Sequence, residues 1–151
     1  FLVDNKRLNF LLGCINHAKS LYPSAKINYY YPNTGKNINF VNKLTSGGIL
    51  PVQFVNTSIL PLKVIKEDEE IFILYNMDSF EKDDLKRLVG LTNYLTHGWG
   101  HKVILAFPDY HELKHKNVVE NVKNKFSDID FIKKLQVTKY QMGDFRTLEE
   151  E

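Results

Sequence analysis

Only one cysteine, Cys14, occurs in the sequence, so no disulfide can form within the chain. It falls on the apolar side of a helical pattern and reads as a small buried hydrophobe rather than a nucleophile. A chain without a disulfide framework fits a reducing, intracellular setting, cytoplasm or nucleus. No apolar run approaches the roughly 20 residues of a bilayer-spanning helix, and no signal-peptide pattern opens the chain, so no membrane partner is expected. A marked excess of one charge is also missing. Twenty Lys+Arg stand against eighteen Asp+Glu, a formal net charge of +2, too little to imply nucleic acid by electrostatics alone. There is no G-x-G-x-x-G and no Walker sequence, which argues against a dinucleotide or nucleoside-triphosphate site of the standard kind. No internal repeat or low-complexity linker divides the 151 residues, which read as a single α/β domain spanning 1–151. The opening Phe1-Leu2-Val3-Asp4 lacks a methionine and reads as a fragment of a longer protein.

What is present centres on Glu70 to Tyr110. Ile71–Tyr75 is a short uninterrupted apolar run, the pattern of a strand buried on both faces. Leu85, Leu88, Val89, Thr92 and Leu95 then recur at helical spacing. Gly98 and Gly100 stop that helix, and Lys102–Phe107 is a second β-rich apolar run. Two buried strands joined by an amphipathic helix predict a right-handed parallel crossover, with the two strands as neighbours.

On either side the same alternation continues. Phe1–Val3 reads as a strand ending at Asp4, followed by a helix carrying Leu8, Leu11, Leu12, Ile15 and Ala18. Ala25–Tyr31 is a strand closed by a Pro32-Asn33-Thr34-Gly35 turn cluster. Asn37 is placed to cap a short helix bearing Ile38, Val41 and Leu44. Ile49–Val55 is a further strand, which Pro51 assigns to an edge. Asn56–Lys66 reads as a loop. His111–Phe126 is a helix with Val118, Val119, Val122 and Phe126 inward, and Leu135–Tyr140 a last edge strand. The sum is a three-layer Rossmann-like α/β sandwich with a mainly parallel sheet of about five strands.

Open parallel sheets bind ligands beyond the carboxyl ends of their strands. That rule selects Asp4, then Asn76, Asp78 and Ser79, then Asp109, His111 and Glu112. Acids gathered there can hold Mg²⁺ or Mn²⁺ through oxygen ligands. Helix chemistry explains some of them equally well. Asp78 with Glu81 three residues on forms a capping box, and Asp83 and Asp84 suit the positive end of a helix dipole. His111-Glu112-Leu113-Lys114-His115 matches H-E-x-x-H, in which two histidines one turn apart ligate zinc and the Glu activates water. Lys114 and Lys116 oppose a dication there, and a third ligand would have to come from Glu120 or beyond; no tight zinc is expected. Gly98-Trp99-Gly100 precedes a strand, so it lacks the helix N-terminus that binds phosphate. Tyr29, Tyr30 and Tyr31 interleave with Lys26, Lys36 and Lys43 as a single-strand nucleic-acid platform would, although tyrosines on a strand are more often part core and part surface.

The order of FLVDN, a helix, two strands, and then strand, acidic loop, helix and GWGHKVILAF resembles the PIN/NYN ribonucleases. The resemblance spans about Phe1–Pro108. It implies a Rossmann-like core with metal-dependent RNA cleavage by strand-end aspartates, here Asp4, Asp78 and Asp84. That family's Gly-Asp-x-Asp cluster is replaced by Asn76-Met77-Asp78-Ser79, and no acid-bearing helix fits between Val55 and Glu70. These departures favour a non-catalytic interaction or scaffolding domain without a cofactor. Its partner would be a protein, an RNA–protein assembly or the rest of a parent chain, docked on a tyrosine-bearing edge such as Tyr29–Tyr31 or on Leu135–Tyr140. The alternative is a metal-dependent nuclease or phosphoesterase using Mg²⁺ or Mn²⁺, followed by a zinc hydrolase at HELKH.

Overall fold

Strands β3 (Glu70–Tyr75) and β4 (Lys102–Ala106) lie side by side at the centre of the sheet, in parallel. In register, Ile71 stands opposite Val103 and Leu74 opposite Ala106. Both are covered on two faces, which is why their sequences run apolar without alternation. The computed structural model describes residues 5–47, 52–58, 69–77, 82–132 and 135. Within these, the other elements are α1 (Asn5–Leu21), β1 (Lys26–Tyr31), α2 (Gly35–Gly47), β2 (Gln53–Asn56), α3 (Lys82–Asn93), α4 (Glu112–Lys125) and β5 (Asp130–Ile132). All pairings are parallel and the strand order is β2-β1-β3-β4-β5, a doubly wound Rossmann-like sheet.

Alternate strand residues feed two cores. Tyr29, Phe72, Leu74 and Ile104 pack under α1 and α2 with Leu8, Leu12, Ile15 and Leu44. Tyr30, Ile73, Tyr75 and Leu105 pack under α3 and α4 with Leu88, Leu91, Val119 and Val122. The layers are therefore helices, sheet, helices. Among the described residues no helix is long and apolar enough to cross a membrane. After α3 the backbone widens into a π-helical turn, Tyr94–Gly98, which Gly100 ends at φ +73°, a conformation costly for residues with a Cβ. Leu88, fully buried in the α3 stripe, sets a direct test of this packing. Leu88→Ala is expected to cost about 2–5 kcal/mol, measured by denaturant unfolding; an unchanged midpoint would place that helix face wrongly.

Two readings from the sequence change. β1 is an interior strand paired to β2 and β3, so Tyr29, Tyr30 and Tyr31 are core residues and not an edge or an exposed platform. Lys26 sits at the opposite end of that strand from the tyrosines' carboxyl rim and pairs with Glu69 at 3.3 Å. Asn37 lies inside α2 rather than capping it. The cap is Thr34, whose hydroxyl oxygen accepts from the Asn37 N–H at 3.3 Å. The edge expected near Pro51 is β2, described from Gln53. The expected strand at Phe1–Val3, the acids Asp4 and Asp78, the capping partner Glu81, most of the loop read at Asn56–Lys66 and all of Leu135–Tyr140 but Leu135 lie outside the described residues.

Candidate functional site

Winding reverses between β1 and β3. From β1 the chain turns to α2 on one face, and from β3 it turns to α3 on the other. Connections that diverge this way leave a crevice at the strands' carboxyl ends. A pocket of about 600 Å³ occupies that place, under the first turns of α1. Its walls come from α1 (Lys6, Arg7, Phe10, Leu11, Cys14), β1 (Tyr29), the start of α2 (Lys36), the end of β3 (Asn76, Met77) and the β4–α4 connection (Pro108, Asp109, His111, Lys114, His115). Among the described residues, four lysine and arginine side chains thus converge with two histidines and one carboxylate, Asp109.

The floor is a buried polar network whose direction can be read from its ends. The Pro32 carbonyl only accepts, so Asn37 donates Nδ2–H to it at 3.0 Å. That leaves Asn37 Oδ1 to accept from Arg7, which only donates. Asn76 reaches the same Oδ1 at 3.2 Å and therefore does so with Nδ2–H. Its second N–H goes to the Tyr29 hydroxyl oxygen at 2.8 Å. Arg7 Nη2 stands 3.5 Å from that same oxygen. A hydroxyl carries two lone pairs and one proton. Both lone pairs of Tyr29 are engaged, so its proton remains to be donated, and among the described residues nothing accepts it. Burial pushes the Tyr29 phenol up to about 12, against the opposing pull of Arg7, so the proton stays on oxygen at neutral pH. The Arg7 guanidinium is seated on the Phe40 ring, 4.0 Å from its centre.

Asp109 accepts the Met77 N–H at 2.9 Å and so ties the end of β3 to the β4–α4 connection. Burial, reinforced by the Asp109 charge, raises the Cys14 thiol to about 12. It remains a thiol, in line with its reading as a small hydrophobe. At the start of α4, His115 Nδ1 accepts the His111 backbone N–H at 2.9 Å. That bond requires an unprotonated Nδ1, which puts the neutral ring's proton on Nε2. Zinc ligation through Nε2 needs the opposite tautomer, so the helix cap competes with the chemistry that H-E-x-x-H suggests.

Burial, then the neighbouring His111 and Lys114, lower the His115 pKa below 6.5. The unfolded chain therefore takes up this proton first as the pH falls, and His115 costs stability progressively below about 6.5 and nothing well above it. Wild type is expected to lose more stability than His115→Gln between pH 7 and 5, measured by denaturant unfolding. Equal losses would remove His115 from the pH response.

Of the residues chosen from the sequence, Asn76, Asp109 and His111 meet in the pocket, while Glu112 is not part of its wall. Asp84 belongs to the other side of the sheet. It is buried in the first turn of α3, 3.2 Å from Arg87, and its charge adds to the burial that raises the Tyr75 phenol. Among the described residues no three His, Cys, Asp or Glu side chains are grouped to hold a metal. Lys6, Arg7, Tyr29 and Lys36 were not singled out as one site, because their cationic and hydroxyl groups meet only through the topology. The available signal was Thr34-Gly35-Lys36 between a strand and a helix, a phosphate-friendly position that reads locally as a turn. Comparison with models of protein families, with curated proteins and with solved structures returns no match for this chain.

Proposed function

We propose that this chain is a non-catalytic binding module that captures an anionic group of its partner in the pocket at the β1/β3 switch point. The observation that carries this reading is the convergence of Lys6, Arg7, Lys36 and Lys114 on one concave site, in a chain whose overall charge is only +2. Bulk charge is diluted over the surface, whereas a crevice with low-dielectric walls concentrates the field of the cations that line it. The Arg7 guanidinium is held in place by Asn37 and Phe40, so little side-chain freedom is lost when a ligand arrives. The nuclease reading rests on Asp4 and Asp78, outside the described residues, and on Asp84, which Arg87 engages. No observation favours it over binding.

Inorganic phosphate at constant ionic strength is the simplest probe. Lys6 and Lys36 are exposed, so a Lys6→Gln/Lys36→Gln double variant is expected to fold normally. Phosphate should raise the unfolding temperature of wild type by mass action. The double variant should need about tenfold more phosphate for the same rise. Lys102→Gln, at the opposite end of the sheet, should behave as wild type. No phosphate effect on wild type, or the same effect on all three proteins, would end this reading.

A further inference from the structure

Resting on that anion-binding reading, we infer that the pocket takes a phosphate monoester joined to a flat apolar body of nucleoside size. Two features of the site call for more than a bare anion. Its volume of about 600 Å³ falls in the range of sites that enclose drug-sized molecules, and inorganic phosphate fills a small part of it. Its wall is also divided in character, with Phe10, Leu11, Met77 and Pro108 beside the cationic groups. Phe10 is 39% exposed on a helix whose Leu8, Leu11, Leu12 and Ile15 are buried. A phenylalanine standing at the mouth of a pocket offers a ring face for stacking, worth most against a planar aromatic body.

The polar end selects phosphate over carboxylate by donor count. Arg7, Lys36 and the Tyr29 O–H supply donors from three different elements. A carboxylate has two oxygens to offer, whereas a phosphate monoester has three terminal oxygens and up to two negative charges. Tyr29 is the most telling of these groups. It is 6% exposed, lines the pocket, and has both lone pairs committed to Asn76 and Arg7. A buried hydroxyl proton without an acceptor is costly, and a ligand oxygen supplies one. The 13-residue α2 opens at Gly35, beside Lys36, and adds the favourable end of its dipole.

Titration calorimetry of the whole chain tests this with adenosine 5′-monophosphate, adenosine and inorganic phosphate. A further pair of ligands, a short oligoribonucleotide with a 5′-phosphate and its 5′-hydroxyl counterpart, separates a free nucleotide from the end of a polynucleotide. The monophosphate is expected to bind at least about tenfold more tightly than inorganic phosphate, with adenosine far weaker than either. Phe10→Ala, at an exposed position, should remove most of that advantage while leaving inorganic phosphate binding intact. Tyr29→Phe should weaken both phosphates about tenfold. Preference for the 5′-phosphorylated oligonucleotide over the free monophosphate would support the same chemistry and assign its source to a polynucleotide terminus. Equal affinity for the monophosphate and inorganic phosphate, or no effect of Phe10→Ala, would overturn the inference and leave the anion site standing. Absence of binding by any phosphate would overturn both.

Discussion

Asn37→Leu is expected to lower the stability of the domain by about 3–5 kcal/mol, the largest effect anticipated for a polar position. Asn37 is 1% exposed and joins three partners: the nearby Pro32 carbonyl and, from distant parts of the chain, the Arg7 guanidinium and the Asn76 amide. Leucine keeps the branched shape of asparagine and is somewhat larger, so a cavity is not the cause of the loss. The cost arises because each partner keeps its polar group and loses the group that satisfied it. An orphaned buried donor or acceptor costs about 1–3 kcal/mol, and Arg7, half-buried, recovers part of this from water. The measurement is a urea titration of both proteins with unchanged slope. A loss under about 1 kcal/mol would mean that the network is not held as described.

Arg7→Gln is expected to weaken phosphate binding about 10- to 100-fold, the second largest effect. A hydrogen bond to a charged group contributes about 1.5–3 kcal/mol, and here a full charge is removed as well. Glutamine still offers N–H to Asn37, so the floor of the pocket is kept better than in an alanine variant. Arg7→Lys supplies the control. It restores charge without the planar fork that sits on Phe40 and donates to both Asn37 and Tyr29, and should fall between wild type and glutamine. Calorimetry with inorganic phosphate reads all three. Equal affinities would remove Arg7 from the site.

The fold was legible where burial imposes a simple period. β3 and β4 are enclosed by helices on both faces and therefore run apolar without interruption, and the stripe from Leu88 on α3 to Leu95 in the π-helical turn marks the side turned to the sheet. Tyrosine defeats that logic, since its ring suits the core and its hydroxyl suits the surface. Only the pairing of β1 with two neighbours shows that Tyr29–Tyr31 are interior. Asn37 was misread for a related reason. Asparagine near a helix start is usually a cap, and its actual partners Arg7 and Asn76 lie 30 and 39 residues away. The rule about strand ends did find Asn76, Asp109 and His111. It missed the cations because Lys6 and Arg7 belong to a helix that precedes β1, and the topology folds that helix's first turns over the rim.

The central claim, that an anion is bound beneath the first turns of α1, is tested most directly by following isotope-labelled protein in nuclear magnetic resonance spectra while inorganic phosphate is added. The account predicts saturable shifts in the Arg7 guanidinium, the Asn76 side-chain amide, the Lys36 backbone and the His115 ring, with little change along β5 and at Lys102. Shifts that fail to saturate, or that gather at the opposite rim around Lys26 and Lys102, would contradict it.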